Sequence, residues 1–195
     1  MTAAPTVLGS RVFICEGHRI RAIDVDSRDE QWSRELGSVG MERGTGAVAD
    51  LSAIAADDGL LVVYEGHALP TQRTGNARVW CLDPATGATL WNAVVDGLEG
   101  REELSGLFPV GRPVLAADVV VVAARKPTQR LEQVDWLLAL DRRDGHLRWA
   151  TSVAGAPANR SSIGRKHAGL ATDGSVVVDA TPRRVSQRPA LRRQS

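Results

Sequence analysis

Aromatic residues other than tryptophan are scarce in this 195-residue chain: it has one tyrosine and two phenylalanines, against five tryptophans. Cysteine is scarce too. Cys15 and Cys81 stand 66 positions apart, too few and too distant for a disulfide framework or a cysteine-rich metal knuckle. Charge of one sign is not in excess: 24 Lys+Arg face 23 Asp+Glu, which removes the electrostatic case for nucleic acid or an anionic membrane as principal partner. The longest apolar run, "VLAADVVVVAA", is too short and interrupted to span a bilayer. The opening "MTAAPTVLGSRVFICEGH" lacks the basic start and continuous apolar segment of a secretory signal, so the sequence as written predicts a cytoplasmic chain. "GSVGMERGTG" has glycines but no Lys-Ser/Thr end, and "NRSSIG" lacks the Gly-x-Ser-x-Gly context of a nucleophile elbow. Neither predicts catalysis.

What the chain does have is a repeat. Asp24, Asp83 and Asp141 each precede a tryptophan, Trp32, Trp91 and Trp149, by eight residues. The segments read "RIRAIDVDSRDEQW", "RVWCLDPATGATLW" and "WLLALDRRDGHLRW": an apolar-rich stretch, an aspartate, a turn, and a short run to the tryptophan. Gly87 and Gly145 occupy the turn position where a hairpin needs positive φ. The first copy has Arg28 there, which predicts a looser turn or one of another type. A second hairpin pattern precedes each of these, in "TVLGSRVFIC", "SAIAADDGLLVVY" and "PVLAADVVVVAA". A fourth unit starts at "HAGLATDGSVVVDAT", with no Asp-to-Trp segment after it.

Four short strands per unit, a period near 58 and almost no helical periodicity predict an all-β fold. The expected architecture is a β-propeller of four-stranded antiparallel blades, with about three and a half blades present. Residues 1–181 form the predicted array, with blades near 6–36, 52–95, 113–153 and a partial one at 167–181; the arginine-rich 182–195 is expected to be a disordered tail. In such a meander the first and third turns of each blade share one face. The long connections Glu65–Ala77 and Arg125–Val134, with Gly37–Leu51, Asp96–Arg112 and Ala154–Lys166, are expected on the other, where binding surfaces are built.

The tetrapeptide Pro-Thr-Gln-Arg occurs in two of those connections, placing Gln72, Arg73, Gln129 and Arg130 at equivalent positions, and Gln187-Arg188 echoes them in the unfinished unit. A ring of guanidinium groups there would suit a carboxylate or phosphate on a partner, and duplicated loop sequence is the plainer alternative. "CEGH" and "YEGH" (Cys15–His18, Tyr64–His67) also match. His18 and His67 with Glu16 and Glu65 are an admissible metal-ligand set, outweighed by the reading of a strand-end turn with solvated imidazoles. His146 is assigned no role. An acid repeated in every unit serves every unit, so the three aspartates are expected to bind turn amides rather than to catalyse.

"LALDRRDGHLRW" and "VWCLDPATGATLW" resemble the repeat of the pyrroloquinoline-quinone-like β-propeller superfamily, which includes quinoprotein alcohol dehydrogenases and an outer-membrane assembly lipoprotein. The resemblance runs from Val7 to Thr181. It implies that Trp32, Trp91 and Trp149 dock between neighbouring blades. The family's quinone enzymes use adjacent cysteines, a calcium site and a catalytic aspartate. No adjacent pair exists here, and Cys81 stands where the sister repeats have Ala22 and Ala139, as a small buried filler.

The sequence therefore predicts a non-catalytic repeat scaffold with no catalytic, cofactor or metal residues, presenting loops to a protein or small ligand. Three and a half blades cannot close a ring alone. The expectation is a fragment of a larger propeller; the alternatives are a homodimer completing the ring and an open arc that binds partners. The rival function is a divergent or partial quinone-dependent dehydrogenase lacking its cofactor residues. A sensor or envelope-assembly module is a third class.

Overall fold

The computed structural model describes residues 5–36, 51–65, 77–127, 132–157, 170–172 and 177–179. Among them the chain is nearly all β. The first sheet is β1 (Thr6–Leu8), β2 (Arg11–Glu16), β3 (Arg19–Asp24) and β4 (Glu30–Glu35). The second is β5 (Leu51–Ala56), β6 (Leu61–Glu65), β7 (Arg78–Leu82) and β8 (Thr89–Val94). The third is β9 (Phe108–Leu115), β10 (Val119–Pro127), β11 (Glu132–Asp141) and β12 (Leu147–Pro157), and a two-stranded sheet follows, β13 (Leu170–Thr172) and β14 (Val177–Asp179). Each is an antiparallel meander in chain order. The first strands of successive sheets pack on one another, β1 on β5, β5 on β9 and β9 on β13. This is the arrangement of propeller blades around an axis, and the chain is an arc of such blades.

Strand patterning explains why the blades stack. Side chains alternate across a strand, and β6 is buried at all five positions. Leu61 and Val63 enter the core shared with the first blade, while Val62 and Tyr64 enter the core shared with the third. A middle blade thus has two apolar faces, which is why "LLVVY" reads as a continuous hydrophobic run.

The innermost strand of the third blade starts earlier than the sequence pattern suggests. Phe108–Pro109–Val110 already pair with β10, so the connection from the second blade ends at Leu107 rather than at Arg112. Between Val110 and Val114 the register shifts against β10, and Gly111 takes a φ of 71°. This bulge turns Arg112 out of the ladder. The connection itself holds two 3-10 turns, Leu98–Gly100 and Glu102–Leu104, whose Leu98 and Leu104 are buried in the seam between blades two and three. Among the described residues no helix is long and apolar enough to cross a membrane.

Candidate functional site at the blade seams

The three repeat aspartates have one geometry. Each backbone carbonyl accepts the amide four residues on: Arg28 to Asp24 at 2.9 Å, Gly87 to Asp83 at 2.8 Å, and Gly145 to Asp141 at 2.9 Å. Each carboxylate turns back onto the loop. Asp24 Oδ1 accepts from Asp26 and Ser27 N at 3.0 and 2.9 Å, Asp83 Oδ1 from Ala85 and Thr86 N at 2.6 and 3.0 Å, and Asp141 Oδ1 from Arg143 N at 2.8 Å. The Ser27 amide bond first, helped by Ser10, holds the Asp24 carboxyl below its ordinary value, and the Arg143 amide with Arg148 does the same for Asp141. These acids are committed to the turns.

Arg28 overturns the expectation of a different first turn. It sits at φ 66° and makes the same bond as the two glycines, so the turn is conserved and an arginine bears the left-handed backbone. Sequence reading also missed a second cap. Three residues after each aspartate, Ser27 Oγ, Thr86 Oγ1 and Asp144 Oδ1 accept the amide two residues further on, at 3.2, 3.2 and 2.9 Å. The recurring Ser/Thr/Asp at that position was the available signal.

The tryptophans join neighbouring blades in one direction. Trp32 Nε1 donates to the carbonyl of Pro84 at 3.2 Å, and Trp91 Nε1 to that of Arg142 at 2.9 Å. In each case the indole lies flat over the next blade's turn glycine: a Cβ on Gly87 would stand 2.6 Å from Trp32 Cε3, and one on Gly145 2.5 Å from Trp91 Cε3. These glycines are required twice over, by backbone conformation and by space. Ala22, Cys81 and Ala139 are small because each pairs across the strand with a tryptophan. Arg34 adds a bond to the Gly87 carbonyl at 2.7 Å, and Arg142 reaches Asp57 of the second blade at 2.5 Å. Trp149 has 42 % of its surface exposed, against 6 % for Trp91.

Near the axis, the bulged Arg112 ties three blades together. Its Nε donates to the Ile54 carbonyl at 3.0 Å and its Nη2 to Thr6 Oγ1 at 2.7 Å, while Thr6 Oγ1 donates to the same carbonyl at 3.1 Å. At the far ends of β10 and β11 a partly buried Arg125–Asp135 pair, 2.6 Å apart, closes the root of the following loop. Gln129 and Arg130 in that loop lie outside the described residues, as do Gln72, Arg73, Gln187, Arg188, His67 and the 182–195 tail. The long connection 96–107 does not stay on the loop face as expected. It folds back along the seam, so that Glu99 Oε1 accepts from the Leu147 amide at 2.8 Å and meets His146 Nδ1 at 3.0 Å. Glu99 does this from a left-handed backbone, φ 54°, between Gly97 and Gly100.

Glu16 and Glu65, the acids of the repeated Glu-Gly-His, have structural partners. Each binds the residue three before its blade's aspartate: Glu16 meets Arg21 at 3.3 Å, and Glu65 accepts from Trp80 Nε1 at 2.6 Å. His18 lies in the turn between β2 and β3, where its carbonyl accepts the Leu36 amide. Cys15 and Cys81 are buried in different cores, and burial pushes both thiols up to about 12. A quinone site of the adjacent-cysteine kind does not fit these residues: the two sulfurs lie in separate seams, and the repeat acids are used by their turns.

The family model described as outer membrane protein assembly factor BamB matches residues 1–136, more than two thirds of the chain. Among curated protein sequences nothing matches. Solved structures share the fold. The quinohaemoprotein alcohol dehydrogenase of Comamonas testosteroni is similar at a TM-score of 0.54 and 20 % identity, over 77 % of this chain and 20 % of its own. A europium-containing methanol dehydrogenase gives 0.54 and 17 %, over 81 % and 27 %. The quinohaemoprotein alcohol dehydrogenase ADHIIG of Pseudomonas putida HK5 gives 0.53 and 13 %, over 90 % and 30 %. The chain thus spans between a fifth and a third of the length of these structures.

Proposed function

The chain belongs to the family described as outer membrane protein assembly factor BamB, and from that premise we propose that it acts as a non-catalytic propeller scaffold whose loops hold a protein partner. The observation that carries this reading is the use of the repeat's own chemistry. The aspartates, the turn hydroxyls and two indole N–H groups are all bound internally. What varies from blade to blade is the long connections, and the recurring Gln72-Arg73 and Gln129-Arg130 give them a common donor set for acidic groups. The family's description as an assembly factor supports a protein as the occupant.

The test is a photoreactive residue at Gln72 or Gln129 in the expressed chain. A discrete protein adduct, lost on Arg73→Glu with Arg130→Glu while the melting temperature holds, is the expected result. An adduct indifferent to the charge reversal would overturn it. The second reading, a partial quinone-dependent dehydrogenase, draws on the structural likeness to alcohol and methanol dehydrogenases. It would be favoured instead if added pyrroloquinoline quinone produced dye-linked alcohol oxidation.

A further inference from the structure

The second blade buries two polar atoms that have no partner among the described residues, and the strand ladder sets their side chains next to each other. Glu65 on β6 stands directly opposite Arg78 on β7. Residues opposite one another in an antiparallel ladder project from the same face, with Cβ atoms about 4.5–5.5 Å apart. That face is turned to the first blade, because Leu61, Val63 and Trp80 on it belong to the core shared with that blade. Glu65 is 1 % exposed. Its Oε2 accepts from Trp80 Nε1 at 2.6 Å, while Arg78 Nη1 donates to Asn92 Oδ1 at 2.6 Å. Each group is thus held by a different neighbour, and no ion pair joins them. Glu65 Oε1 and Arg78 Nε are buried without a hydrogen bond. An acceptor or donor left so costs about 1–3 kcal/mol.

The same pair recurs in the open. In the first blade Glu16 stands opposite Arg19. Glu16 meets Arg21 at 3.3 Å, and Arg19 Nη2 donates to Ser33 Oγ at 3.0 Å, so each member of the second blade's set has a counterpart. Glu16 and Arg19 are exposed, and water reaches them. In the third blade Ala124 and Trp136 occupy this ladder position, so the blade does not require an acid and a base there. The second blade alone keeps the pair and encloses it, with Cys15 and Leu36 of the first blade buried in the same core.

The two atoms define what fits between them. An anion would meet the Glu65 oxygen and a cation the Arg78 guanidinium, so a group of one charge satisfies only half of the site. The single atom that accepts from Nε–H and donates to Oε1 is a hydroxyl oxygen. We propose that the seam between blades one and two is a hydroxyl-binding site, in which Arg78 Nε donates to a hydroxyl that in turn donates to Glu65 Oε1. Water and a small polyol offer this same chemistry, and the experiment separates them. The site is independent of the loop-face reading, since it uses none of the Gln-Arg pairs.

The test is dipolar NMR on the 15N-labelled full chain, observing the Arg78 Nε proton, first in water and then with uniformly 13C-labelled glycerol as the probe. The expected result in water is a cross-peak to the water line whose rotating-frame sign is that of a dipolar contact rather than of proton exchange, from a molecule tumbling with the protein. With glycerol, new cross-peaks to its 13C-bound protons assign the hydroxyl to a polyol, and an unchanged water peak assigns it to a bound water. An exchange-type peak alone, or none to either molecule, while Trp80 Nε1–H keeps its bond to Glu65, would overturn the proposal. That failure would leave the photocrosslinking test of the loops untouched.

Discussion

Replacing Gly87 with alanine tests the seam directly, because the cost has two separable parts. The left-handed backbone at φ +71° penalises any L side chain by about 1–2 kcal/mol. The new Cβ would also stand 2.6 Å from Trp32 Cε3 and 2.9 Å from Cδ2 and Cζ3, whereas carbons rest at about 3.5–4.0 Å. The indole must lift by roughly 1 Å. Lifting it breaks the Nε1 bond to Pro84, about 1 kcal/mol. It also exposes about half of the ring's buried surface, roughly 100 Å² or about 2.5 kcal/mol. The expected total is about 4–6 kcal/mol. Gly17→Ala is the control: its φ is +60° and a Cβ there meets nothing within 4 Å, so only the backbone part, about 1–2 kcal/mol, applies. Urea denaturation measures both. In a Trp32→Ala background the cost of Gly87→Ala should fall to that of Gly17→Ala, a coupling of about 3 kcal/mol. Equal losses at Gly87 and Gly17 in the parent chain would refute the argument that the ring occupies the glycine's missing side chain.

Other expectations are quicker to check. Arg112→Ala removes bonds to two other blades and should lower stability by about 1–3 kcal/mol, whereas Arg112→Lys, which cannot span both acceptors, should recover little; urea midpoints decide. The Glu99 contact raises the His146 pKa above 6.5, and the Leu147 amide followed by His146 lowers that of Glu99 below 4.5. The imidazolium's contribution is therefore complete below pH 6.5 and fades as pH rises through the raised value, while the carboxylate's is complete above 4.5 and fades as pH falls. An NMR titration should find His146 above 6.5, and Glu99→Gln should bring it down; no change would remove the pair. Thiols pushed up to about 12 by burial should leave Cys15 and Cys81 unreactive to a disulfide reagent at pH 8 until urea unfolds the blades, and rapid labelling of the native chain would contradict the packing.

Much of the fold is legible in the sequence because its repeat is written in residues that do structural work. Asp and Trp eight apart mark a turn and its seam, and "LLVVY" marks a strand with two buried faces. The turn chemistry was half legible. Gly87 and Gly145 announced positive φ, but Arg28 hid the same conformation behind a residue that avoids it, since only the surrounding bonds hold it there. Arg112 was not legible at all. Its reach to Thr6 depends on a bulge at Gly111 and on two blades distant in sequence, which no local pattern encodes. Glu99 was missed for a related reason: it lies in a connection, and its partners His146 and Leu147 are 47 and 48 residues away.

The pair Glu16 and Glu65 shows how one repeat serves both a charged face and an apolar seam. In the second blade the residue facing the preceding blade is Trp80, and Glu65, 1 % exposed, accepts a hydrogen bond from its indole N–H, so a buried acid orients an aromatic within the seam. In the first blade the same backbone positions carry Arg21 and an exposed Glu16, and the acceptor now holds a guanidinium at the surface. Isolated surface ion pairs of this kind contribute little stability, about 0–1 kcal/mol. Their effect is instead on what can pack there, because covering Arg21, Glu16 and Glu30 with an apolar blade would strip water from three charges. A single substitution set therefore decides polarity: Arg21→Trp with Arg28→Gly would turn the first blade's face into a copy of the second's. Such a variant should associate further than the parent in light scattering. If it stays in the parent's state, the charged face is not what limits the array.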